Sequence, residues 1–383
     1  MKLILNGGGI GKQVASARQL LNRIIDNNKK ILYIPFAWPD STYAGCLEFM
    51  TDELKDVEKA GIDMVRTPEE LLGKNFNDYA CLYIGGGNTF KLLDLLKKSG
   101  NYDKIKEYLE NDGIVYGGSA GAIIFGKDLD SCITDDENEV GLEDSTGFNM
   151  INGYSLLCHF GSRDPKRTEV TANYLKELSK IKPVYAIPEE DSIYVHDGIV
   201  EFIGYNPYYE FNNGIEEEKR CFVCKIATKE EKLKQLEYDK SVNPGEEENW
   251  DKWIEEFKNY PDGHRITYFG ILNGEVITEA SAGIKKDTFQ NTDGLIDDST
   301  AYLFAFRTKE DYQEQGYLSP LFKYMIDDLR KKGIKKVTIG VEPTELKNKA
   351  IYNHYGFTEH IKDAKETYPD GTVIDVEYYG KTL

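Results

Sequence analysis

A chain of 383 residues, 40% hydrophobic and 12% aromatic, holds enough apolar material for two domains with cores of their own and is no disordered polymer. Its 66 Asp and Glu outweigh 47 Lys and Arg, and the net charge of −19 sets the bulk field against nucleic acid and anionic membrane as partners. The six cysteines are irregularly spaced, as in reduced proteins, and the apolar runs are strand-sized, too short for a membrane span or a signal peptide, so a cytoplasmic protein is expected.

In chain order, Leu3–Leu5 is a strand that runs into Gly7-Gly8-Gly9, and Val14–Ile25 has helical spacing. Strand Ile31–Pro35, helix Ala44–Ala60 and strand Asp63–Val65 follow, and Ala80–Ile84 leads straight into Gly85-Gly86-Gly87. Leu92–Lys98 and Tyr102–Asn111 are predicted helices, and strand Ile114–Tyr116 ends at Gly117. This alternation predicts an α/β fold, a mostly parallel sheet with helices on both faces, whose functional loops lie beyond the carboxyl ends of the strands.

After Tyr209 the texture changes. Asn212-Asn213-Gly214 is a turn signal, the acidic run Glu216–Glu218 follows, and a domain boundary is placed there, giving domains 1–213 and 214–383. Beyond it come strand Arg220–Ile226, helices Glu230–Tyr238 and Glu247–Asn259, and a hairpin, Tyr268–Leu272 with Glu275–Ala280, across Asn273-Gly274. Strand Ala301–Phe306, helix Pro320–Lys332, strand Lys336–Val341 and helix Leu346–Tyr355 complete a mixed α/β half.

Gly117-Gly118-Ser119-Ala120-Gly121 sits between a strand and an apolar helix start, the context of a nucleophile elbow, in which a tight turn lifts the Ser119 hydroxyl to a helix N-terminus. His159 follows the strand-like run Leu156-Leu157-Cys158, where a base could be held rigidly, and Asp135-Asp136-Glu137 lies between them in sequence to orient the imidazole. Gly7-Gly8-Gly9-Ile10-Gly11-Lys12 fails the Walker pattern, since Asn6 stands in place of its first glycine and Gln13 in place of Ser or Thr, and reads as a tight strand-to-helix turn.

Tyr83–Phe90 with its GGGNTF run, the GGSAGA elbow, Cys158-His159-Phe160 and Ile187-Pro188-Glu189 together resemble the dipeptidase E and cyanophycinase family of serine peptidases. The resemblance covers residues 1 to about 213 and implies a class I glutamine amidotransferase-like fold with serine as nucleophile. It implies Ser119 as nucleophile, His159 as general base, and the N–H groups of Gly87 and Ala120 as oxyanion hole. It places the acid within Ile133–Asp136, Asp136 being favoured and Asp135 next. The family's best-known activity, cleavage of dipeptides with amino-terminal Asp, would need a cation for the side-chain carboxylate. Arg163 and Arg167 are the candidates, with Asn88 also near the substrate and Glu189 meeting its amino group.

A second motif pair lies in the other half. Gln313-Glu314-Gln315-Gly316-Tyr317-Leu318-Ser319 opens the helix at Pro320, the arrangement in which backbone N–H groups meet an anion. Asn348, Ala350, Tyr352, Tyr355, Gly356 and Phe357 form N-x-A-x-Y-x-x-Y-G-F about 30 residues later. The pair resembles the GNAT acetyltransferase superfamily over about residues 219–383, with Leu318 where that superfamily has Gly or Ala. By this resemblance residues 313–319 hold the pyrophosphate of acetyl-CoA, the strand ending at Phe306 pairs with the pantetheine, Asn348 helps bind the cofactor, and Tyr352 protonates the leaving thiolate. Cys221-Phe222-Val223-Cys224 has no second pair or nearby His, and no metal is expected.

The leading expectation is therefore a fusion of a serine peptidase, acting on a small peptide or aminoacyl amide, with an acetyl-CoA-dependent N-acetyltransferase acting on an amine acceptor. Two alternatives stand beside it: a single catalytic half with a binding or sensor module, or an esterase with a G-x-S-x-G elbow. A homodimer is the oligomeric state entertained.

Overall fold

The computed structural model describes residues 1–55, 57, 61–162, 164–259, 261–286 and 289–383. They form two compact units, Met1–Phe222 with Glu314–Gly316, and Val223–Gln313 with Tyr317–Leu383.

The strands of the first unit are β1 (Lys2–Asn6), β2 (Ile31–Ile34), β3 (Ile62–Met64), β4 (Cys81–Ile84), β5 (Ile114–Gly118), β6 (Ser155–Leu157), β7 (Val184–Ala186), β8 (Ser192–His196), β9 (Ile199–Ile203), β10 (Tyr208–Asn212) and β11 (Ile215–Lys219). The main sheet has the order β3-β2-β4-β5-β1-β8-β9. Its first five strands are parallel, and β8 and β9 add an antiparallel edge. Because successive side chains leave opposite faces of a strand, each strand feeds two cores. Leu3, Leu5, Leu32 and Ile34 pack on one face with Leu92, Leu96 and Ile105, while Ile4, Ile31 and Tyr33 pack on the other with Ala17, Leu21 and Met50. This is the two-faced, mostly parallel sheet that the alternation predicts.

A second sheet, β11-β10-β7-β6, carries the rest of the unit. Asn213-Gly214, taken from the sequence as the domain boundary, is the turn of the β10–β11 hairpin, with both residues at positive φ, and the first unit runs on to Phe222. The helix expected over Ala44–Ala60 is Tyr43–Glu53, and residues 56 and 58–60 lie outside the described residues.

The second unit has β12 (Phe222–Ile226), β13 (Arg265–Leu272), β14 (Glu275–Gly283), β15 (Thr300–Thr308), β16 (Lys336–Val341), β17 (Glu359–Thr367) and β18 (Val373–Thr382), in the order β12-β13-β14-β15-β16-β18-β17. The β13–β14 hairpin turns at Asn273-Gly274 as expected. β15 and β16 are parallel neighbours, and helix Leu318–Lys331 packs Leu321, Phe322, Met325 and Leu329 into a core with Tyr268, Ala280, Leu303 and Val337 of the sheet.

A buried ion cluster ties helices Lys229–Val242 and Glu247–Asn259 to the sheet of this unit. Lys232, on helix Lys229–Val242, donates to both carboxylate oxygens of Glu279 on β14 at 2.8 and 2.7 Å. Arg307 of β15 reaches Glu279 at 3.3 Å and Asp239 at 3.1 Å, and lies 4.6 Å from the ring centre of Trp250. Burial pushes the Lys232 ammonium down and the Asp239 carboxyl up from their ordinary values. Two cations facing two carboxylates keep the cluster neutral, and removing one leaves a charge buried alone. Glu279→Ala is therefore expected to destabilise the intact chain by about 3–5 kcal/mol. Urea unfolding followed by tryptophan fluorescence measures it, and an unchanged midpoint would refute it.

Candidate active sites

Ser119 directly follows β5 and caps the short helix Ala120–Ile123. Its φ of 52° and ψ of −113° lie where a residue with a Cβ is strained by roughly 1–3 kcal/mol. Gly121 makes the turn possible: a Cβ there would stand 2.1 Å from the carbonyl oxygen of Ile84 on the neighbouring strand. The turn aims the Ser119 Oγ at His159, whose Nε2 lies 2.8 Å away. His159 itself sits just past β6 with a φ of 60°, its N–H donating to the Gly7 carbonyl at 3.0 Å.

The other imidazole nitrogen, Nδ1, meets Glu189 Oε1 at 2.9 Å. This corrects the expectation that Asp136 orients the ring. Asp136 Oδ2 instead accepts from the Thr89 N–H at 2.9 Å and from the Thr89 hydroxyl, at the start of helix Thr89–Lys98, where a carboxylate suits the exposed N–H groups. Glu189, expected to meet the substrate's amino group, thus faces the histidine.

The glycine run explains how Glu189 arrives. Gly7 N–H donates to the Asp191 carbonyl and Gly9 N–H to the Glu189 carbonyl, both at 3.0 Å, so the extension of β1 forms a short ladder with the segment carrying the acid. A Cβ on Gly8, whose φ is +100°, would stand 2.2 Å from Cε1 of His159. The three glycines are a saddle for the imidazole and the Glu189 segment as well as a turn. Their failure to match a phosphate loop was the available sign of such a close approach.

Gly87 and Ala120 N–H donate to no acceptor among the described residues. Asn88 caps helix Thr89–Lys98 by accepting from Lys91 N–H at 2.9 Å, and its Nδ2 donates to the Glu137 carbonyl at 2.9 Å, so its amide is committed to structure. Arg167 donates to Asp135 Oδ1 at 2.9 Å. Arg163 lies outside the described residues. Cys158, next to His159, is buried with its thiol pushed above its ordinary range, chiefly by desolvation, and cannot compete as a nucleophile. Among the described residues no cluster of three or more His, Cys, Asp or Glu is placed to hold a metal.

In the second unit, β15 pairs with β16 from Thr300↔Lys336 to Leu303↔Ile339, and from Phe304 onward it has no ladder partner in β16. Ala305, with φ 53°, takes up a bulge against β14. The free edge beyond it offers backbone groups to an extended amide chain. Phe306 lies on this stretch, its ring centre 6.0 Å from that of Tyr352. Burial, and secondarily the charge of Glu345, push the Tyr352 phenol up, keeping it a proton donor. Gln313 Nε2 donates to the Thr308 carbonyl at 3.1 Å. Glu314 and Gly316, which group with the first unit, have φ of 62° and 90°, and the helix of the second unit begins at Leu318. Ser319 Oγ meets the Tyr355 hydroxyl at 2.8 Å, and Asn348 Nδ2 donates to Glu345 at 3.1 Å. Within the second unit, the unpaired edge of β15 and the helix N-terminus at Leu318 fit an acyl-coenzyme A.

Residues 3–203 match the peptidase family S51 and residues 231–357 the acetyltransferase (GNAT) family. The first match spans just over half of the 383 residues, and the chain belongs to peptidase family S51, a serine peptidase family, here joined to a GNAT acetyltransferase domain. A peptidase E from Nostoc sp. (strain PCC 7120) is 26% identical over 229 residues, 57% of this chain and 90% of that one. A solved peptidase from an acI-B1 Actinobacterium is 20% identical, with a TM-score of 0.43 over 57% of this chain and 93% of its own. An IAA acetyltransferase from Bacillus cereus ATCC 14579 is 16% identical, with a TM-score of 0.30 over 42% of this chain and 99% of its own. The families matched give the esterase alternative no support. No helix of the described residues is long and apolar enough to cross a membrane.

The saddle makes a testable demand. Gly8→Ala should displace the imidazole from Ser119 and slow fluorophosphonate labelling of that serine on the order of 100-fold, the effect of an approximately 1 Å misplacement. Labelling at the unaltered rate in folded protein would show that Gly8 does not seat the ring.

Proposed function

We propose that the first unit hydrolyses the amide bond of a short peptide or aminoacyl amide, with Ser119 as nucleophile, His159 as general base and Glu189 as the carboxylate orienting it. The observation that carries this is the continuous relay Ser119 Oγ–His159 Nε2 at 2.8 Å and His159 Nδ1–Glu189 Oε1 at 2.9 Å. Ser119 Oγ attacks the substrate carbonyl carbon as its proton passes to Nε2. The oxyanion that forms accepts from the N–H groups of Gly87 and Ala120, which are fixed before reaction and so need no reorganisation. His159 then returns the proton to the departing amine, leaving an acyl-serine. Water, deprotonated at the same Nε2, releases the acid and restores Ser119. Glu189 holds the ring with Nδ1 protonated and stabilises the imidazolium at each transfer.

The second unit acetylates a primary amine. Acetyl-CoA, when bound, supplies an activated thioester. The 313–319 turn and its helix start would hold the pyrophosphate, the β15 edge near Phe306 would pair with the pantetheine, and Asn348 would assist. Tyr352 keeps its proton until a thiolate needs it, so positioning and one acid are enough for the chemistry.

Ser119→Ala should abolish hydrolysis while acetyl transfer, followed by free thiol release, continues; surviving hydrolysis would overturn the nucleophile assignment. Glu189→Gln should lower kcat for hydrolysis on the order of 10³- to 10⁴-fold. An effect of that size from Asp136→Asn instead would restore the sequence-based choice of acid. Tyr352→Phe should cut acetyl transfer at least about 100-fold with acetyl-CoA affinity by calorimetry retained. A chain that binds no acetyl-CoA would leave the second unit as a module without transfer activity.

A further inference from the structure

The cavity over Ser119 and His159, about 620 Å³, is lined by two unlike sets of side chains. A space of that size takes a short peptide with its side chains. One set is an aromatic and apolar wall, formed by Tyr33, Trp38, Phe49, Met50 and Tyr83. Trp38 and Phe49 are 46% and 48% exposed, and Ile10, lining the same cavity, is 56% exposed. Single exposed hydrophobic residues need no explanation, but three gathered at one cavity mark a binding surface. The wall is also rigid at its base. Tyr83 stacks on Tyr116 with ring centres 4.6 Å apart and meets Tyr33 edge-on at 5.9 Å.

Asp135 and Asp136 line the same cavity. Asp135 is paired with Arg167 at 2.9 Å. Asp136 is fixed by the N–H and hydroxyl of Thr89, both on Oδ2, and faces no cation among the described residues. A rigid carboxylate and an exposed apolar surface thus line the same cavity as the nucleophile, the two kinds of group that would hold the free α-ammonium and the large side chain of one residue.

We propose that the substrate class of this site is the amide of an amino-terminal aromatic or large aliphatic residue with its α-amine free, the ammonium received by Asp136 and the side chain by Trp38, Phe49 and Tyr33. The proposal rests on the reading of Ser119 as nucleophile. It departs from the expectation of amino-terminal Asp. That residue would bring a third carboxylate beside Asp135 and Asp136 or set a hydrated group against Trp38 and Phe49, and both arrangements are unfavourable.

The test uses the full chain without acetyl-CoA and three p-nitroanilides, of phenylalanine, N-acetylphenylalanine and aspartate, with fluorophosphonate labelling of Ser119 run in parallel. The phenylalanine compound should exceed its N-acetylated form in kcat/KM by roughly 10- to 100-fold, the range of a charge-assisted hydrogen bond. It should exceed the aspartate compound by at least about tenfold. Trp38→Ala should lower kcat/KM for the phenylalanine compound by about tenfold, chiefly through KM, as loss of a large apolar contact does. Asp136→Asn, which keeps an oxygen for Thr89, should shrink the ratio between the free and N-acetylated compounds. If Ser119 is labelled while the aspartate compound is cleaved as well or better, or acetylation makes no difference, the proposed class is wrong and the nucleophile stands. If Ser119 is neither labelled nor able to turn over any of the three, both readings fall together.

Discussion

The hydrolytic site hangs on the backbone of one short segment. β1 and the glycines that continue it give hydrogen bonds to, or take them from, every part of the relay: Ser119 N–H donates to the Asn6 carbonyl, His159 N–H to the Gly7 carbonyl, and Gly9 N–H to the Glu189 carbonyl. The three side chains come from different strand ends, yet each is referenced to residues 6–9. Such bonds fix position through the main chain, which has no rotamers to lose, so the relay needs little further ordering when substrate binds. The sheet supplies the rigidity, because β1 lies between β5 and β8 with Leu3, Ile4 and Leu5 fully buried.

That arrangement explains what sequence reading could and could not reach. Ser119 was legible because a nucleophile elbow is local: glycines, a serine and a strand-to-helix junction within a few residues. The parallel core was legible for the same reason, since buried strands such as Ile31–Ile34 and Cys81–Ile84 are short apolar runs between turn residues. Glu189 is visible in the sequence as a residue but not as the partner of His159. Its place is set by a ladder between the first loop and a segment some 180 residues later, and no periodicity or spacing encodes a ladder of that range. The family resemblance places the acid within Ile133–Asp136 and favours Asp136, whereas in space that carboxylate serves the start of the helix at Thr89. The Asn213-Gly214 turn shows a related limit. It was a correct turn signal, but a hairpin and a domain linker begin with the same residues.

The two units solve positioning by different means. In the first, side chains form a chain of hydrogen bonds around an exposed oxygen. In the second, the device is a gap: β15 and β16 separate after Leu303, and the bulge at Ala305 turns the strand so that its edge stays open. Motifs in the sequence point to both, but only a side-chain relay can be misassigned residue by residue. A strand edge is a property of pairing, and it is right or wrong as a whole.

The cavity over Ser119 also holds three thiols of differing access. Cys158 and Cys132 are buried, and desolvation pushes both well above their ordinary range, so they resist oxidation and alkylation despite their position beside the relay. Cys46 is only half-buried and lies on the aromatic side, near Thr42. Serine-directed and thiol-directed reagents therefore enter one cavity at two addresses. A small alkyl group on Cys46 crowds the apolar wall without touching a proton-transfer group, which makes that thiol an internal gauge of whether the wall is occupied.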